Sequence, residues 1–446
     1  MERSQERDGG EGVAGREPDG AGLRLRREIG LWSAVSLIAG CMIGSGIFMS
    51  PQGVLVYVGS PGASLVVWAV CGLLAMMGAL CYAELGALVP KSGGEYAYIL
   101  QIFGSLPAFL VIYTFVLLVR PAAIAAVSLS FAEYAVAPFY PGCSSMPQAV
   151  LKAVAAICIL LLTLVNCWSS RLATMLMNAG RIGMAFYQGL WSFDGWNNVN
   201  YVLEELKNPK QNLVWALMIA IPLVTSLYLL VNISYLLVLS PNELLSSDAM
   251  AVSWGNQVLG DWAWLVPLAV TLSTLGSTNG TFFGGSRVCY VAAREGHMPQ
   301  LLSMVHVHRL TPTPALMFTA AVALVLVIPG NFSTIVNFLS FLGWITYGTT
   351  ISCLLYLRMK KKNLPRPYKV PTVIPVIMLL ASLYLVLAPI IDHPQIEFLY
   401  IFLFLLSGIP VYFLLVHFQC QPKWLQMATM YLQLLLEVAP AIKNVD

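Results

Sequence analysis

The sequence predicts an all-α polytopic membrane protein. Of its 446 residues, 58% are hydrophobic and only 10% are charged, whereas soluble domains carry about 25% charged residues. Apolar runs of about 20 residues follow one another along most of the chain, and each is long enough to cross a bilayer as a helix. Glycines interrupt two of these runs, which indicates helices that are broken inside the membrane.

About eleven spans are predicted along the chain. Residues 1–27, rich in glycine and charge, are expected to form a disordered tail. Residues 28–418 form the transmembrane domain, and residues 419–446 are expected to hold an amphipathic helix and a tail on the membrane surface. The spans are placed at residues 31–56, 63–88, 105–134, 150–168, 184–203, 213–238, 262–290, 313–329, 333–357, 372–391 and 396–417.

The positions of lysine and arginine predict the orientation, because basic loops stay in the cytosol. Successive cytosolic loops must be separated by an even number of spans. This parity fails once, since only one crossing fits between Arg181 and Lys207. Either residues 184–203 are re-entrant, or one basic loop is misassigned, or a span is missing. The segments predicted to be cytosolic are the N-terminus and the loops that carry Lys91, Arg171 and Arg181, Lys207 and Lys210, Arg287 to Arg309, and residues 358–369.

The first broken helix contains the stretch GCMIGSGIFMSP, with Gly44, Ser45 and Gly46 at its centre. A glycine inside a helix costs about 0.5–1 kcal/mol relative to alanine. In lipid, unwound backbone is tolerated only where it faces protein or a cavity. Two interpretations are open: a close contact between helices, or an unwound segment that binds a ligand.

The second broken helix contains GLWSFDGWNN, in which Gly189 and Gly195 flank the acidic Asp194. An ionisable residue inside a membrane span indicates a functional site. Two such segments in corresponding halves of a chain are typical of a transporter that is built from repeats. Backbone N–H groups freed at such breaks bind a carboxylate, and freed carbonyls bind an ammonium group. That pair of groups suits a zwitterionic amino acid.

Two further residues remain open to two interpretations each. Arg120 lies deep in the third span, where a charge costs at least about 2.5–3.5 kcal/mol. It either contacts an anionic group of a substrate, or pairs with Glu133 or with a carbonyl that Pro121 releases. Cys143 lies in the polar loop APFYPGCSSMPQ between two spans, which suggests either a bridge to another chain or a free surface thiol.

Five long motifs resemble those of a known family. IAGCMIGSGIFMSP, CYAELGALVPKSGGEYAY, GLWSFDGWNNVNYVLEELKNP, REGHMP and TPTPAL resemble the light subunits of heteromeric amino acid transporters, in the amino acid–polyamine–organocation superfamily. The nearest branches exchange cystine, dibasic and neutral amino acids, or prefer aromatic ones. The resemblance implies an inverted-repeat bundle of five plus five spans, with two extra C-terminal spans.

The resemblance also implies an activity and a partner. Sodium-independent exchange of neutral or aromatic amino acids is expected, extending to cationic ones or cystine, without a metal or cofactor. The protein would lie in the plasma membrane with both termini in the cytosol. Cys143 would form a disulfide with a single-span glycoprotein heavy subunit.

The resemblance implies roles for the residues at the two breaks. Gly44, Ser45 and Gly46 would hold the carboxylate of the substrate. The backbone of Trp191, Ser192 and Phe193 would accept from its ammonium group, with Trp191 as a gate, and Asp194 would face the side-chain pocket. The full set of expected substrate-binding residues is Cys41, Met42, Ile43, Gly44, Ser45, Gly46, Arg120, Trp191, Ser192, Phe193, Asp194, Gly343 and Trp344.

The chain departs from the family at one place, and this departure explains why the parity of the basic loops fails between Arg181 and Lys207. Relatives carry a fifth span before the GLW segment, with a lysine that stands in for a sodium ion, and no residue here matches it. The chain therefore has about 11 spans instead of 12. The alternative function is a transport-defective, truncated member that at most binds the heavy subunit. No nucleophile–base pair or phosphate loop is present, and the histidines lack metal-ligand spacing, so an enzyme is not predicted.

Overall fold

Most of the predicted membrane domain is described by the structure, which is a computed structural model. The predicted tail, residues 1–27, lies outside the described part, as do Ser45, Cys143, Trp191 and Ser192. The described residues are 29–44, 46–48, 51, 54–55, 60–136, 139, 147–168, 193–240, 243–244, 250–328, 332–361, 364, 366, 368–392, 396–417 and 423–440.

The described part of the first half of the chain is helical almost throughout. A π-helical turn, Phe115–Val119, joins two helices into one continuous element directly before Pro121. A π turn at this point fits the missing N–H group of proline, which removes one helical hydrogen bond. The helices are α1 (Leu31–Met42), α2 (Pro61–Leu88), α3 (Glu95–Phe103), α4 (Ser105–Thr114), α5 (Arg120–Val136), α6 (Gln148–Trp168) and the short α7 (Asn198–Tyr201).

The second half continues in the same way. Its helices are α8 (Pro209–Val238), α9 (Met250–Val258), α10 (Leu265–Arg294), α11 (Thr313–Val327), α12 (Phe332–Lys360), α13 (Val373–Asp392), α14 (Ile396–Tyr412) and α15 (Lys423–Leu435). Short helical turns lie at Leu203–Glu205, Gly260–Trp262 and Gln300–Ser303, and a π-helical turn, Phe413–His417, ends α14. Two strands, β1 (Met304–His306) and β2 (Val438–Pro440), pair antiparallel with Val305 opposite Ala439.

The predicted class, an all-α polytopic membrane protein, is confirmed. Within the described residues, five helices are long and apolar enough to cross a membrane, and three shorter ones are apolar. The exact number of spans and the repeat layout stay predictions. The β1–β2 pair was not predicted, because strands of three residues leave too short a pattern to detect. The five long apolar helices are Pro61–Leu88, Ser105–Val136, Gln148–Trp168, Gln211–Val238 and Leu399–His417.

Helix α10 lies at the centre of the bundle. It packs against α1 and α5, while α8 packs against α1 and α2. Almost every residue of α10 from Ser273 to Ala293 is buried. Its stretch GSTNGTFFGGS is rich in glycine, serine and threonine, and such small residues let helix backbones approach closely in membranes. Because α10 is surrounded by protein, its polar side chains can serve the interior rather than face lipid.

Several segments predicted to be cytosolic meet at one end of the bundle. A parallel bridge joins Ile29, near the N-terminus, to Leu206. Next to it, Arg287 Nε of α10 lies 2.8 Å from Glu205 Oε1. The residue before α1, the segment before α8 and the last turns of α10 therefore share one end, in agreement with the same-side prediction for their basic residues.

Two more loops belong to the same end. Arg294 Nη2 lies 2.7 Å from Glu204 Oε1, and Ser92 Oγ accepts a hydrogen bond from the backbone N–H of Glu204 at 2.8 Å. Glu84, at the last turns of α2, is fully buried and pairs with Arg358 of α12. These buried ion pairs hold the loop after α2 and the end of α12 close to the first group.

The end of α6 lies there too. The guanidinium of Arg309 is 4.2 Å from the ring centroid of Trp168, and Thr311 Oγ1 donates to the carbonyl of Cys167 at 3.2 Å. Both partners belong to the chain that follows α10. Trp168 and Leu206 therefore lie at the same end of the bundle.

Candidate functional site

Helix α1 ends at Met42, inside the bundle and before the glycines. A helix that stops here leaves carbonyl groups without intrahelical partners, and no water of the bulk phase can satisfy them in a membrane. Side chains of two neighbouring helices supply the missing donors. Tyr228 OH of α8 donates to Met42 O at 2.6 Å, and Ser277 Oγ of α10 donates to Cys41 O at 3.2 Å.

A third donor completes this cap. Ser273 Oγ of α10 donates to the carbonyl of Ile43 at 3.1 Å. Three successive carbonyls, of residues 41–43, are therefore held by hydroxyl groups of α8 and α10. Side chains of neighbouring helices thus stabilise the end of α1 at this position. The hydroxyls that cap it also fix the direction in which the chain leaves α1.

Gly44 combines a close contact between helices with an unwound backbone, and its predicted role in binding a ligand stays a prediction. It lies just beyond the end of α1, where the chain is unwound, and its N–H donates to Met42 O at 2.9 Å. A Cβ at Gly44 would lie only 2.6 Å from Ser277 Oγ and 3.1 Å from Ser277 Cβ. The glycine is therefore needed for a close contact with α10 at the same point where the helix unwinds. Gly46 is buried beyond it, and Ser45 lies outside the described residues.

A cavity opens beside the second break. Its wall combines aromatic rings with three charged side chains from segments that are distant in sequence. Five of the predicted site residues line it: Arg120, Phe193, Asp194, Gly343 and Trp344. The other lining residues are Leu74, Ala75, Glu95, Phe115, Val119, Ala123, Trp196, Tyr201, Leu339, Thr346, Tyr347 and Met378.

The α1 residues of the prediction lie next to this cavity and do not line it. Cys41 and Met42 are buried. The second break touches the first at Gly195, where a Cβ would lie 2.7 Å from Cys41 Cβ. Gly195 has a φ of +103°, a conformation that side chains with a Cβ rarely adopt. The turn that contains Gly195 therefore packs directly on the end of α1.

Asp194 is held in place by α12. Tyr347 OH donates a hydrogen bond to Asp194 Oδ1 at 2.8 Å. Phe193, next to it, is fully buried and packs its ring against Tyr228, with centroids 4.8 Å apart. Tyr228 also caps α1, so a single tyrosine of α8 ties the two breaks together. The carboxylate of Asp194 is left partly accessible from the cavity.

Arg120 is held by aromatic rings. Its guanidinium carbon lies 4.7 Å from the ring centroid of Phe115 and 4.6 Å from that of Tyr201. Its methylene stem runs over Gly285 of α10, where a Cβ would lie 3.2 Å from Arg120 Cβ. Among the described residues no hydrogen bond to the guanidinium occurs, and its buried Nε has no partner. The cation is therefore fixed in position and its hydrogen-bonding edge is available to the cavity.

The pairing of Arg120 with Glu133, one of the two sequence interpretations, is wrong. Both residues belong to the continuous helix α5. Thirteen helical residues span about 20 Å at 1.5 Å per residue, which is beyond the reach of the two side chains. The described contacts of Arg120 also include no released carbonyl, so they favour the alternative in which the guanidinium serves the cavity.

Glu95 is a cavity residue that the sequence analysis missed. It is 2% exposed and begins helix α3. Its Oε1 accepts from Asn197 Nδ2 at 2.6 Å and from Tyr82 OH and Tyr201 OH, each at 3.1 Å. The signal available in the sequence was an acid directly after the two glycines of KSGGEYAY, but that stretch also fits a solvated loop.

Within the described residues, no group of three or more His, Cys, Asp or Glu side chains could hold a metal ion. His297, in the loop after α10, contacts hydroxyl groups at both ring nitrogens. Tyr96 OH lies 2.9 Å from Nδ1 and Ser105 Oγ lies 2.7 Å from Nε2. Burial lowers the pKa of this imidazole. Its ring therefore links the loop after α10 to α3 and α4 through hydrogen bonds.

Comparison with known proteins identifies clear relatives. The profile of the amino acid permease family matches residues 29–182 and 174–415. The human b(0,+)-type amino acid transporter 1 is 45% identical over 459 aligned positions, which cover 93% of this chain and 94% of that protein. The mouse large neutral amino acids transporter small subunit 2 is 41% identical, over 91% of this chain and 84% of that protein. The resemblance that the motifs predicted is thereby confirmed, and the relatives are named as transporters.

The alignments also bear on the missing span. The 459 positions aligned with the human relative exceed the 446 residues of the whole chain. That relative therefore carries internal residues without a counterpart here. The family match falls into two segments that meet at residues 174–182, in the same region as the parity failure.

The contact at Gly44 gives a test of the capped break. We expect Gly44→Ala to destabilise the protein by about 1–3 kcal/mol, the usual cost of an overpacked methyl group. Gly62→Ala is the control, because nothing lies within 4 Å of its added methyl. Thermal unfolding of the purified variants in detergent measures the effect; an unfolding temperature of Gly44→Ala equal to that of Gly62→Ala would contradict the close contact.

Proposed function

Because this chain belongs to the amino acid permease family, we propose that it is a sodium-independent exchanger of amino acids. It works as a disulfide-linked heterodimer with a glycoprotein heavy subunit in the plasma membrane. The observation that carries the proposal is the cavity beside the two broken segments, with Asp194 and Arg120 in its wall. A zwitterion needs donors for its carboxylate and acceptors for its ammonium group, and broken helices supply both.

The cavity wall supports a substrate range. Its rings, those of Phe115, Phe193, Trp196, Trp344 and Tyr347, favour large neutral side chains, since aromatic surfaces bind apolar and aromatic groups well. Asp194 admits a cationic side chain, and the nearby Arg120 moderates that preference. We therefore propose neutral and aromatic amino acids as the main substrates, with cationic ones or cystine as the extension.

The partner is proposed from the loop that contains Cys143. That loop joins the end of α5 to the start of α6, and α6 runs from there to Trp168. Trp168 belongs to the end of the bundle that gathers the segments predicted to be cytosolic, so the opposite end is the external one on this proposal. A cysteine in an external loop is suited to a bridge with another chain. One relative is named a small subunit, which fits a protein that works with a second subunit. Both termini of this chain are proposed to be cytosolic.

The layout of residues 169–205 is proposed to be re-entrant. The ends of this stretch belong to the same end of the bundle, and the family match breaks within it. A helical crossing takes about 20 residues, and residues 169–192 are too few for an outward crossing and a helical return to Phe193. A re-entrant segment restores the parity of the basic loops without a fifth span.

Exchange in liposomes tests the proposal directly. The chain is reconstituted with a heavy subunit, beside a version in which the relatives' fifth span is restored. We expect both to take up radiolabelled leucine, and internal amino acid to stimulate the uptake, because the capped end of α1 and the cavity are formed without that span. Uptake only by the restored version would contradict this and identify the chain as a truncated member that at most binds the heavy subunit.

The disulfide is tested on a non-reducing gel. Co-expression of the unaltered chain with a heavy subunit should give a complex band that reducing agent removes. Cys143→Ser should abolish this band, because the thiol is the bridging group. Cys167→Ser serves as the control, since Cys167 lies at the other end of α6 and hydrogen bonds through its backbone carbonyl. A complex band that persists in Cys143→Ser would refute the bridge.

The role of Asp194 is tested by substrate selectivity. In Asp194→Asn we expect arginine uptake to fall roughly tenfold more than leucine uptake, because one unit charge near a cationic side chain is lost. Tyr347 can still donate to the amide oxygen, so the local hydrogen bond is kept. Asp261→Asn, which removes an exposed acid, should leave the ratio unchanged. Equal losses of both substrates in Asp194→Asn would point to a role in folding instead.

A further inference from the structure

Glu95 reaches the cavity through a turn that only glycine allows. Gly93 and Gly94 have φ angles of +114° and +53°. A Cβ at Gly94 would lie 2.5 Å from Tyr201 Cε1, so the ring of Tyr201 packs directly on this backbone. The turn therefore brings the carboxylate of Glu95 and the hydroxyl of Tyr201 into contact inside the bundle.

The hydrogen bonds of Glu95 can accommodate an ionised carboxylate. All three contacts at Oε1 come from groups that donate: the hydroxyls of Tyr82 and Tyr201, and Asn197 Nδ2. An ionised carboxylate is an acceptor only, with about two acceptor sites on each oxygen. Hydrogen bonds that are donated to a carboxylate stabilise its charged form.

Glu95 is linked to both other charges of the cavity. Tyr201 OH bonds its carboxylate, and the ring of the same tyrosine lies 4.6 Å from the guanidinium carbon of Arg120. Asn197 Nδ2, which bonds Glu95, also lies 3.5 Å from Tyr347 OH, and Tyr347 bonds Asp194. One network of hydroxyl and amide groups thus lies between Glu95, Arg120 and Asp194 and holds them apart.

The three charges are spaced rather than paired. Among the described residues no hydrogen bond or ion pair joins Arg120 to either acid, and Arg120 Nε has no partner. Two ion pairs elsewhere in the protein are closed at 2.7–2.8 Å, between Arg294 and Glu204 and between Arg287 and Glu205. The cavity therefore presents two carboxylates and one guanidinium, with a formal charge that is negative overall.

From this geometry we propose that Glu95 is a specificity-determining residue: it supplies the second negative charge of the cavity and holds Tyr201 beneath Arg120. The inference rests on the proposed transport of amino acids and extends it to a residue outside the two broken segments. With Glu95 charged, the cavity favours cationic over anionic amino acids even though Arg120 lines it. Without that charge, Asp194 and Arg120 balance each other.

Equilibrium binding tests this without requiring transport. The full-length chain is purified into nanodiscs, and the dissociation constants of leucine and arginine are measured by competition with radiolabelled leucine. In Glu95→Gln we expect the arginine-to-leucine ratio of dissociation constants to rise about tenfold, because a unit charge within the site is lost. Leucine itself should change by less than about threefold, since glutamine still offers an acceptor to Tyr201. Glutamate should bind more tightly than to the unaltered chain.

Two variants serve as controls for the charge. Glu95→Asp keeps the charge and shortens the side chain, so its ratio should stay within about threefold of the unaltered chain. This variant keeps the test decisive if Glu95→Gln does not fold. Asp261→Asn removes an exposed charge and should change nothing. An unchanged ratio in Glu95→Gln, a parallel loss of leucine and arginine, or a tenfold change in Glu95→Asp would each overturn the inference.

The outcomes separate this inference from the proposed function. Binding with the expected selectivity but without exchange in liposomes would refute the transport proposal and support the role of Glu95. Exchange with an unchanged ratio in Glu95→Gln would do the reverse. A chain that binds neither leucine nor arginine would overturn both.

Discussion

The capped end of α1 is the contact on which the rest of the structure depends. A helix that stops in the middle of a membrane exposes carbonyl groups, and each unsatisfied one costs several kcal/mol in lipid. Here the hydroxyls of Tyr228, Ser273 and Ser277 satisfy three of them in a row. That solution requires α8 and α10 to stand close to α1, which in turn requires a glycine at position 44 and small residues along α10. The position of the cavity follows, because the second break packs on the first through Gly195.

The charged groups of the cavity obey a similar rule. Side-chain charges buried in a membrane protein need partners, and here the partners are mostly aromatic. Tyrosine hydroxyls satisfy Glu95 and Asp194, while tyrosine and phenylalanine rings hold Arg120. Direct ion pairing would have neutralised these groups, as it does at the end of the bundle that holds Arg287 and Arg294. A network of rings keeps them separate, which suits the proposed recognition of a zwitterion with a variable side chain.

Periodicity and composition were enough to predict the long helices and the interruption of α1, because each depends on residues that are neighbours in the chain. The cavity depends on contacts between distant residues. Glu95 and Tyr201 are 106 positions apart, and no local pattern reports such a pair. The stretch with Glu95 looked like a loop, since its glycines and charge are equally typical of a solvated turn. The predicted pair of Arg120 and Glu133 was wrong because two residues of the same span need not be close. A helix separates residues along its axis by about 1.5 Å each.

The β1–β2 pair has a consequence for the order in which the protein is completed. Strand β1 is made long before β2, which lies near the end of the described chain. Until the tail arrives, the edge of Met304–His306 lacks that partner, and an open strand edge is a site for wrong pairings. The strand edge is covered only after the C-terminal segment has been synthesised and α15 has packed against the turn Gln300–Ser303. The C-terminal segment with α15 and β2 therefore completes this end of the bundle last. A chain that stopped before Val438 would leave the edge of β1 unpaired by β2.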